Sequence, residues 1–376
     1  MHKKICIITS AHPIFSTRIF YKEAKTFIRI GYEVTLIVQH DKNEIKDGIK
    51  IIALPKPKNR FFRIFVTSWK AFNLALKQKA NFYHFHDPEL LPAGILLKLL
   101  TLKKVIYDVH EDYPQAIRTK LWLPPFFRGL IASVFSSFEL LLVRLLDSVI
   151  AATDDISHRF PEKKTTTIKN YPILAFVRSA HSDAKIDIGF GRKGPTLIYA
   201  GAMAEKRGIY ELVKALESID EKYKVTLKLL GKFSDKAFER RVRSLKGFAK
   251  VDFLGRVPYE EVSEHLMAVD IGFVLFHPAP NHLKSMPNKL FEYMATGLPF
   301  IASNFPLWKE ILEENECGLT VDPLNPNQIA RAIEYLLDHP GVRRKMSKNG
   351  QRAVREKYNW EKESEKLSEL YQRLSE

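Results

Sequence analysis

Short apolar runs alternate with helical stretches along most of this chain, and that alternation restricts its fold more than any other feature. Lys4-Ile-Cys-Ile-Ile-Thr9 reads as a strand, Thr17 to Gly31 as a helix closed by its glycine, and Tyr32-Glu-Val-Thr-Leu-Ile-Val38 as the next strand. Strand, helix, strand in that order makes a parallel βαβ unit, because parallel neighbours need a crossover and the helix covers one face of the sheet. The series restarts at Thr196-Leu-Ile-Tyr-Ala-Gly201 and continues through Tyr223–Gly231, Val251–Pro258, Asp270–Phe276 and Phe300-Ile-Ala302. A chain of 376 residues, 45% hydrophobic and 27% charged, has material for two cores. The expectation is therefore α/β with two doubly wound parallel-sheet domains, residues 1–180 and 181–357, a polar linker over 179–194, and a last helix in 358–376.

Ligands of such sheets sit beyond the C-terminal ends of the strands, so the residues that follow each strand are the candidates for chemistry. After the first strand come Ser10 to Arg18, without the G-x-G-x-x-G pattern of a dinucleotide site. Arg18 can meet a substrate phosphate there or pair with Glu23. Phe82-Tyr-His-Phe-His-Asp-Pro88 places His84 and His86 on one strand face. They lack a third metal ligand at compelling local spacing and also read as packed core histidines, so no metal is assigned. Lys104-Val-Ile-Tyr-Asp-Val109 delivers His110, Glu111 and Asp112 to the same rim.

Charge is uneven. The net formal charge is +16, and residues 1–180 hold 28 Lys/Arg against 15 Asp/Glu while the remainder hold 31 against 28. A basic first half suits nucleic acid, an anionic membrane or a phosphorylated ligand, and no helix-turn-helix, zinc-finger or RNA-binding pattern favours nucleic acid. Lys56, Lys58, Arg60 and Arg63 interleave with Phe61, Phe62 and Phe65, a pattern that fits an anionic leaflet as well as ordinary helix packing. Residues 121–146 are very apolar, but Pro124-Pro125, Arg128, Glu139 and Arg144 interrupt them, which predicts a helix partly buried in the core with an exposed apolar start; with the 56–65 patch it suggests docking on an anionic leaflet, ordinary helix packing being the alternative. Cys6 and Cys317 are the only cysteines, so neither a disulfide framework nor a multi-cysteine metal site is available, and a reducing compartment is expected. The apolar start of the chain is too short for a secretion signal, which points to the cytoplasm.

The densest convergence of local signals is Met286-Pro-Asn-Lys-Leu-Phe-Glu-Tyr-Met-Ala-Thr-Gly-Leu-Pro299. Ser285 and Asn288 are candidate caps around Pro287, and Gly297 and Pro299 end a helix over about 288–296. Its buried side is predicted as Leu290, Phe291, Met294 and Ala295, with Lys289 and Glu292 on another side. A free helix start with a lysine in its first turn suits a diphosphate, and a glutamate one turn deeper can accept from a ribose; a capped surface helix with a solvated ion pair is the plainer alternative. Gly201 after its strand permits close backbone approach, and Arg207 near a helix start suits the same diphosphate.

These residues resemble the donor-site helix of glycosyltransferase family four, the retaining enzymes of GT-B fold, and the Pro-x-Lys form resembles a subgroup of bacterial surface-polysaccharide enzymes. The resemblance extends over nearly the whole chain. It implies two domains facing each other across a cleft, a C-terminal helix crossing back to the first domain, and transfer of a sugar from a UDP- or GDP-sugar without metal or cofactor. Donor binding then falls to Gly201, Arg207, Lys289 and Glu292, the catalytic rim to His110, and acceptor binding to Arg18, His86 and Glu111. Two positions depart from the family: Lys284 stands where the first of two glutamates eight apart belongs, and Ala202 where a basic residue is usual. Expected partners are a lipid-linked glycan and an anionic membrane, with the protein peripheral on the inner face of the cell membrane. A nucleotide-sugar 2-epimerase and an inactive nucleotide-sugar binder are the competing assignments.

Overall fold

The computed structural model describes residues 3–120, 123–174 and 194–376. Two compact units divide the chain, one of Met1–Asn170 with Trp360–Glu376, the other of Tyr171–Asn359. Most of the linker expected over 179–194 lies outside the described residues.

The first unit is an eight-stranded sheet of β1 (Lys4–Pro13), β2 (Glu33–Gln39), β3 (Glu44–Lys46), β4 (Ile49–Leu54), β5 (Phe82–Phe85), β6 (Lys104–Val109), β7 (Ser148–Ala151) and β8 (Thr165–Thr167). Their order is β3-β4-β2-β1-β5-β6-β7-β8, and only the β3–β4 pair is antiparallel. Val34 to Val38 are all buried, as a strand covered on both faces requires. Register aligns Ile8 with Phe85 and Phe85 with Tyr107, so the ends of β1, β5 and β6 open side by side. That alignment gathers residues 9–12, 86–87 and 108–110 at one edge of the sheet.

On one sheet face, the helices Ser68–Gln78, Leu91–Thr101 and Pro125–Val143 supply Phe72, Leu97 and Val143 to a core with Ile8, Phe85 and Tyr107. The last of these helices was expected to be partly buried with an apolar start left out. It is partly buried, through Ala132, Glu139 and Val143, and its start is exposed, but the exposure of apolar side chains continues along its whole length. The C-terminal helix Trp360–Ser375 belongs to this unit too. Trp360 Nε1 donates to Thr26 Oγ1 at 3.0 Å, and Tyr371 packs on Phe27 with ring centroids 4.6 Å apart.

The second unit has six parallel strands, β9 (Thr196–Ala200), β10 (Thr226–Leu230), β11 (Val251–Gly255), β12 (Ile271–Val274), β13 (Phe300–Ser303) and β14 (Gly318–Val321), ordered β11-β10-β9-β12-β13-β14. Helices cover both faces. The helix Asn288–Thr296 buries the four predicted residues and Tyr293 as well. It stops at Gly297, whose φ of 69° is the left-handed value that favours glycine. A Cβ there would also meet Gln351 Nε2 at 2.6 Å, so this turn is tight against the helix Pro340–Glu356.

Candidate functional site

Two charged clusters stand at strand ends, one in each unit. In the first, the residues come from β1, β5, β6 and the helical segment Thr17–Ala24. Arg18 was expected at the rim and is instead inside, 3% exposed. Its Nη2 donates to both oxygens of Asp108 at 3.0 and 2.9 Å, its Nη1 donates to the Ile168 carbonyl at 2.9 Å, and its Nε lies 2.8 Å from Glu23 Oε1. A guanidinium so engaged organises buried acids and does not face the rim.

His84 and His86 are fully buried, and the plain reading of packed histidines describes their surroundings. The ring Nδ1 of His84 shares a hydrogen bond with the Tyr371 hydroxyl at 2.7 Å, while its Nε2 is 3.4 Å from Asp108 Oδ2. His86 connects inward and outward: its Nε2 is 3.3 Å from Glu23 Oε2 and its Nδ1 is 3.0 Å from His110 Nε2. His110 also approaches Asp108 Oδ1 at 3.3 Å, and its ring centroid is 5.1 Å from that of His12. Glu111, next in the chain, is exposed, and Asp112 accepts from the Gln115 amide as the cap of a short helix.

Burial dominates the electrostatics here. It lowers the His110 imidazolium to about 4 despite the opposing pull of Asp108, and it lowers His86 well below the ordinary range with help from His84 and His110. Burial pushes the Glu23 carboxyl well up, reinforced by Asp108. For Asp108 burial acts upward as well, but Arg18 and His110 outweigh it and hold that carboxyl well below its usual value. At neutral pH the rim therefore presents a neutral imidazole whose Nε2 is turned inward, leaving Nδ1 to exchange a hydrogen bond with a hydroxyl. Glu23, His86, Asp108 and His110 bring one ligating atom each within 4.8 Å of one another. They could hold a cation, although Arg18 already balances the carboxylates.

Sequence reading named Glu23 as a partner of Arg18, and that pairing holds, although inside the unit and not on its surface. It missed Asp108 and Tyr371: Asp108 carried a signal, an acid inside the apolar run Lys104–Val109, whereas Tyr371 carried none, since its partner His84 is 287 positions away.

The second cluster gathers around Gly201, directly after β9. Its φ is 135°, and a Cβ would come within 2.6 Å of Lys289 Nζ. The backbone angle favours glycine there, and the missing Cβ leaves room for the end of the lysine side chain. Lys289 Nζ sits 3.8 Å above the Tyr199 ring, and the Arg207 guanidinium sits 3.9 Å above Phe276. Burial, then Arg207, lower the Lys289 ammonium to about 7, against the pull of Glu292 one helical turn along. Pro287 occupies the cap position of this helix without any side-chain cap. The expected cap Ser285 instead donates to the His282 carbonyl at 2.9 Å, and Asn288 is the first helical residue. Ala202, where a base was usual, accepts from the Tyr199 hydroxyl at 2.8 Å through its carbonyl and so fixes the ring beneath Lys289. The structure thus brings Gly201, Arg207, Lys289 and Glu292 together in one unit and His86, His110 and Arg18 in the other, with Glu111 exposed beside His110 in the chain and outside that cluster.

Comparison with known proteins bears on both units. The family described as Glycosyltransferase Family 4 matches residues 17–170, and the family Glycosyl transferases group 1 matches residues 182–353. An uncharacterized glycosyltransferase of Methanocaldococcus jannaschii is 25% identical over 46% of this chain and 44% of its own length. TuaH of Bacillus subtilis, a glycosyltransferase named for teichuronic acid biosynthesis, is 25% identical over 56% of this chain and 53% of its own length. The chain thus spans about half the length of these two relatives. Among solved structures, sucrose-phosphate synthase of Thermosynechococcus elongatus superposes with a TM-score of 0.78 at 20% identity, covering 99% of both chains. HepE of Anabaena, in complex with UDP-glucose, gives 0.72 at 14% identity over 99% of this chain and 100% of that one. At such identities the structures establish the fold.

Proposed function

The chain belongs to glycosyltransferase family 4 and has its GT-B fold, and from that premise we propose that it transfers a sugar from a nucleotide-diphosphate sugar to a growing lipid-linked glycan in polysaccharide biosynthesis. The observation that carries the donor half is the pairing of Arg207 and Lys289 at a helix start that no side chain caps. Helix amides and two cations attract a diphosphate, and they stabilise the charge that develops on it as the bond to the sugar breaks. Glu292, on the same helix, takes the ribose. Fixed cations serve where a divalent metal serves elsewhere, so the transfer is metal-independent and needs no cofactor. The sugar keeps its anomeric configuration, with His110 at the acceptor rim and Glu111 beside it.

HepE in complex with UDP-glucose supports a nucleotide sugar as donor, and TuaH, named for teichuronic acid biosynthesis, supports a surface polysaccharide as product. The acceptor half rests on the basic first unit and its exposed aromatics, which fit a peripheral protein on the cytoplasmic leaflet. The test is incubation with labelled UDP- and GDP-sugars and membrane lipid extract. Label in the lipid fraction, lost in the His110→Ala variant, is the expected outcome. Label retained on an altered nucleotide sugar would mean an epimerase, and binding without turnover would mean an inactive binder.

A further inference from the structure

Helices on the surface of a water-soluble protein normally turn charged residues outward and apolar ones inward. The helix Pro125–Val143 does the reverse. Its one carboxylate, Glu139, points into the unit, where it accepts from the Tyr107 hydroxyl at 3.0 Å and pairs with Arg159. Outward, Phe126 is 97% exposed, and Leu130, Val134, Phe138 and Leu141 follow at helical spacing with 62%, 60%, 46% and 59% exposure. The buried ion pair fixes the helix's rotation, so this apolar side is a built feature.

The face extends sideways. Helix Leu91–Thr101 packs between this helix and Ser68–Gln78, and it too turns Leu99 and Leu100 outward. Beyond it, Phe61, Phe65 and Trp69 are 65%, 60% and 57% exposed. Charge on these segments has one sign: residues 48–86, 90–107 and 113–138 contain no Asp or Glu at all, whereas Lys56, Lys58, Arg60, Arg118 and Lys120 are exposed among them. A second copy of the chain would set these cations against each other. An anionic bilayer would receive both the cations and the apolar side chains.

We propose that the helix Pro125–Val143 lies in the plane of an anionic membrane surface with its apolar side in the lipid, and that the outer sides of helices 91–101 and 60–78 complete the same docking face. The proposal deepens the acceptor reading above and rests on it. At about 1.5 Å per residue the helix would just reach across the hydrocarbon layer of roughly 30 Å, but spanning would pull Glu139 away from Tyr107 and Arg159. Lying flat keeps those contacts and orients the unit's surface on the leaflet.

The experiment uses the full chain. Cys6 and Cys317 are buried, so a fluorophore sensitive to polarity can be placed selectively through Leu130→Cys. Vesicles of phosphatidylglycerol should shift its emission to the blue, vesicles of phosphatidylcholine much less. The triple variant Phe126→Ser, Leu130→Ser, Val134→Ser should keep its circular dichroism and melting temperature and lose at least about tenfold in vesicle partitioning. If the parent and the triple variant bind phosphatidylglycerol equally and the label at position 130 does not shift, the in-plane helix is wrong while membrane docking through residues 56–65 stands. If the parent binds neither vesicle, both ideas fall. Dimerisation without lipid, measured by analytical ultracentrifugation and abolished by the triple variant, would give the face to a second copy and overturn the proposal.

Discussion

The two charged clusters solve opposite problems with similar residue types. In the first unit, Arg18 stands between Asp108 and Glu23, and the histidines close round them, so cations and anions balance within a few ångströms. In the second unit, Arg207 and Lys289 lie over the rings of Phe276 and Tyr199, and burial, with Arg207 adding to it, pushes the lysine's ammonium toward neutrality. Buried acids and a guanidinium in contact hold a shape; two cations that repel each other are improved by an incoming anion. The contrast assigns scaffold and rim to the first unit and ligand capture to the second, and it yields graded predictions.

The largest effect should come from Asp108→Asn. The substitution keeps the size of the side chain but leaves Arg18 buried without its main counter-charge, for a loss on the order of 3–5 kcal/mol. Urea unfolding should show it directly. A change below about 1 kcal/mol would mean the cluster is not a scaffold, and the comparison would break. His110→Ala comes next. It sits at the edge of that scaffold, so stability should change little, while turnover falls on the order of 10²- to 10⁴-fold with nucleoside-diphosphate affinity nearly constant. Steady-state rates and calorimetric binding on one preparation separate these. Equal losses in both would place His110 in donor binding.

Lys289→Met should act oppositely to Asp108→Asn. Losing a charge-assisted contact worth about 1.5–3 kcal/mol weakens nucleoside-diphosphate binding roughly 10- to 100-fold. The apo protein should melt at the same temperature or higher, because a partly desolvated cation has been removed. If stability falls instead, Lys289 is structural and the contrast between the units is lost.

What was legible in the sequence follows the range of the interactions. The second site depends on neighbours in the chain: Pro287 and Gly297 bracket a nine-residue helix, so its bounds, its buried side and the joint placement of Lys289 and Glu292 follow from local rules. The cap was misassigned because Ser285 finds the His282 carbonyl, a choice made by the loop rather than by the helix. Arg18 was misplaced for a different reason: Asp108 lies 90 positions away, and the crossover topology, not local pattern, brings them together. The same holds for His84 and Tyr371, 287 positions apart. For the helix 125–143, apolar residues on nearly every side left its rotation undetermined by pattern, and the Glu139 contacts to Tyr107 and Arg159 settle it.

The smallest predicted effect, a pH dependence, separates the two clusters by sign. Lys289 has its ammonium at about 7 in the free protein, and a bound diphosphate favours the charged form, so binding takes up a proton once the lysine is partly neutral. Affinity should be flat with respect to this group below pH 7 and fall by up to about tenfold per pH unit above it, until the pKa of the bound state is reached. The ligand's own phosphate titrates near 6 and acts in the opposite direction, so the measurement belongs between pH 7 and 9, where that group is already ionised. His110 works at the other end: its folded value of about 4 is below its unfolded value near 6.5, so the stability it contributes is complete above about 6.5 and is lost as pH falls toward 4. Glu23, raised by burial, opposes this and softens the acid limb. Calorimetric titration with UDP and GDP in buffers of different ionisation enthalpy reads the proton uptake, and Lys289→Met should abolish it together with the alkaline fall. A parent affinity that stays level from pH 7 to 9 would mean that Lys289 is already fully charged without ligand, and that the second cluster is as well balanced as the first.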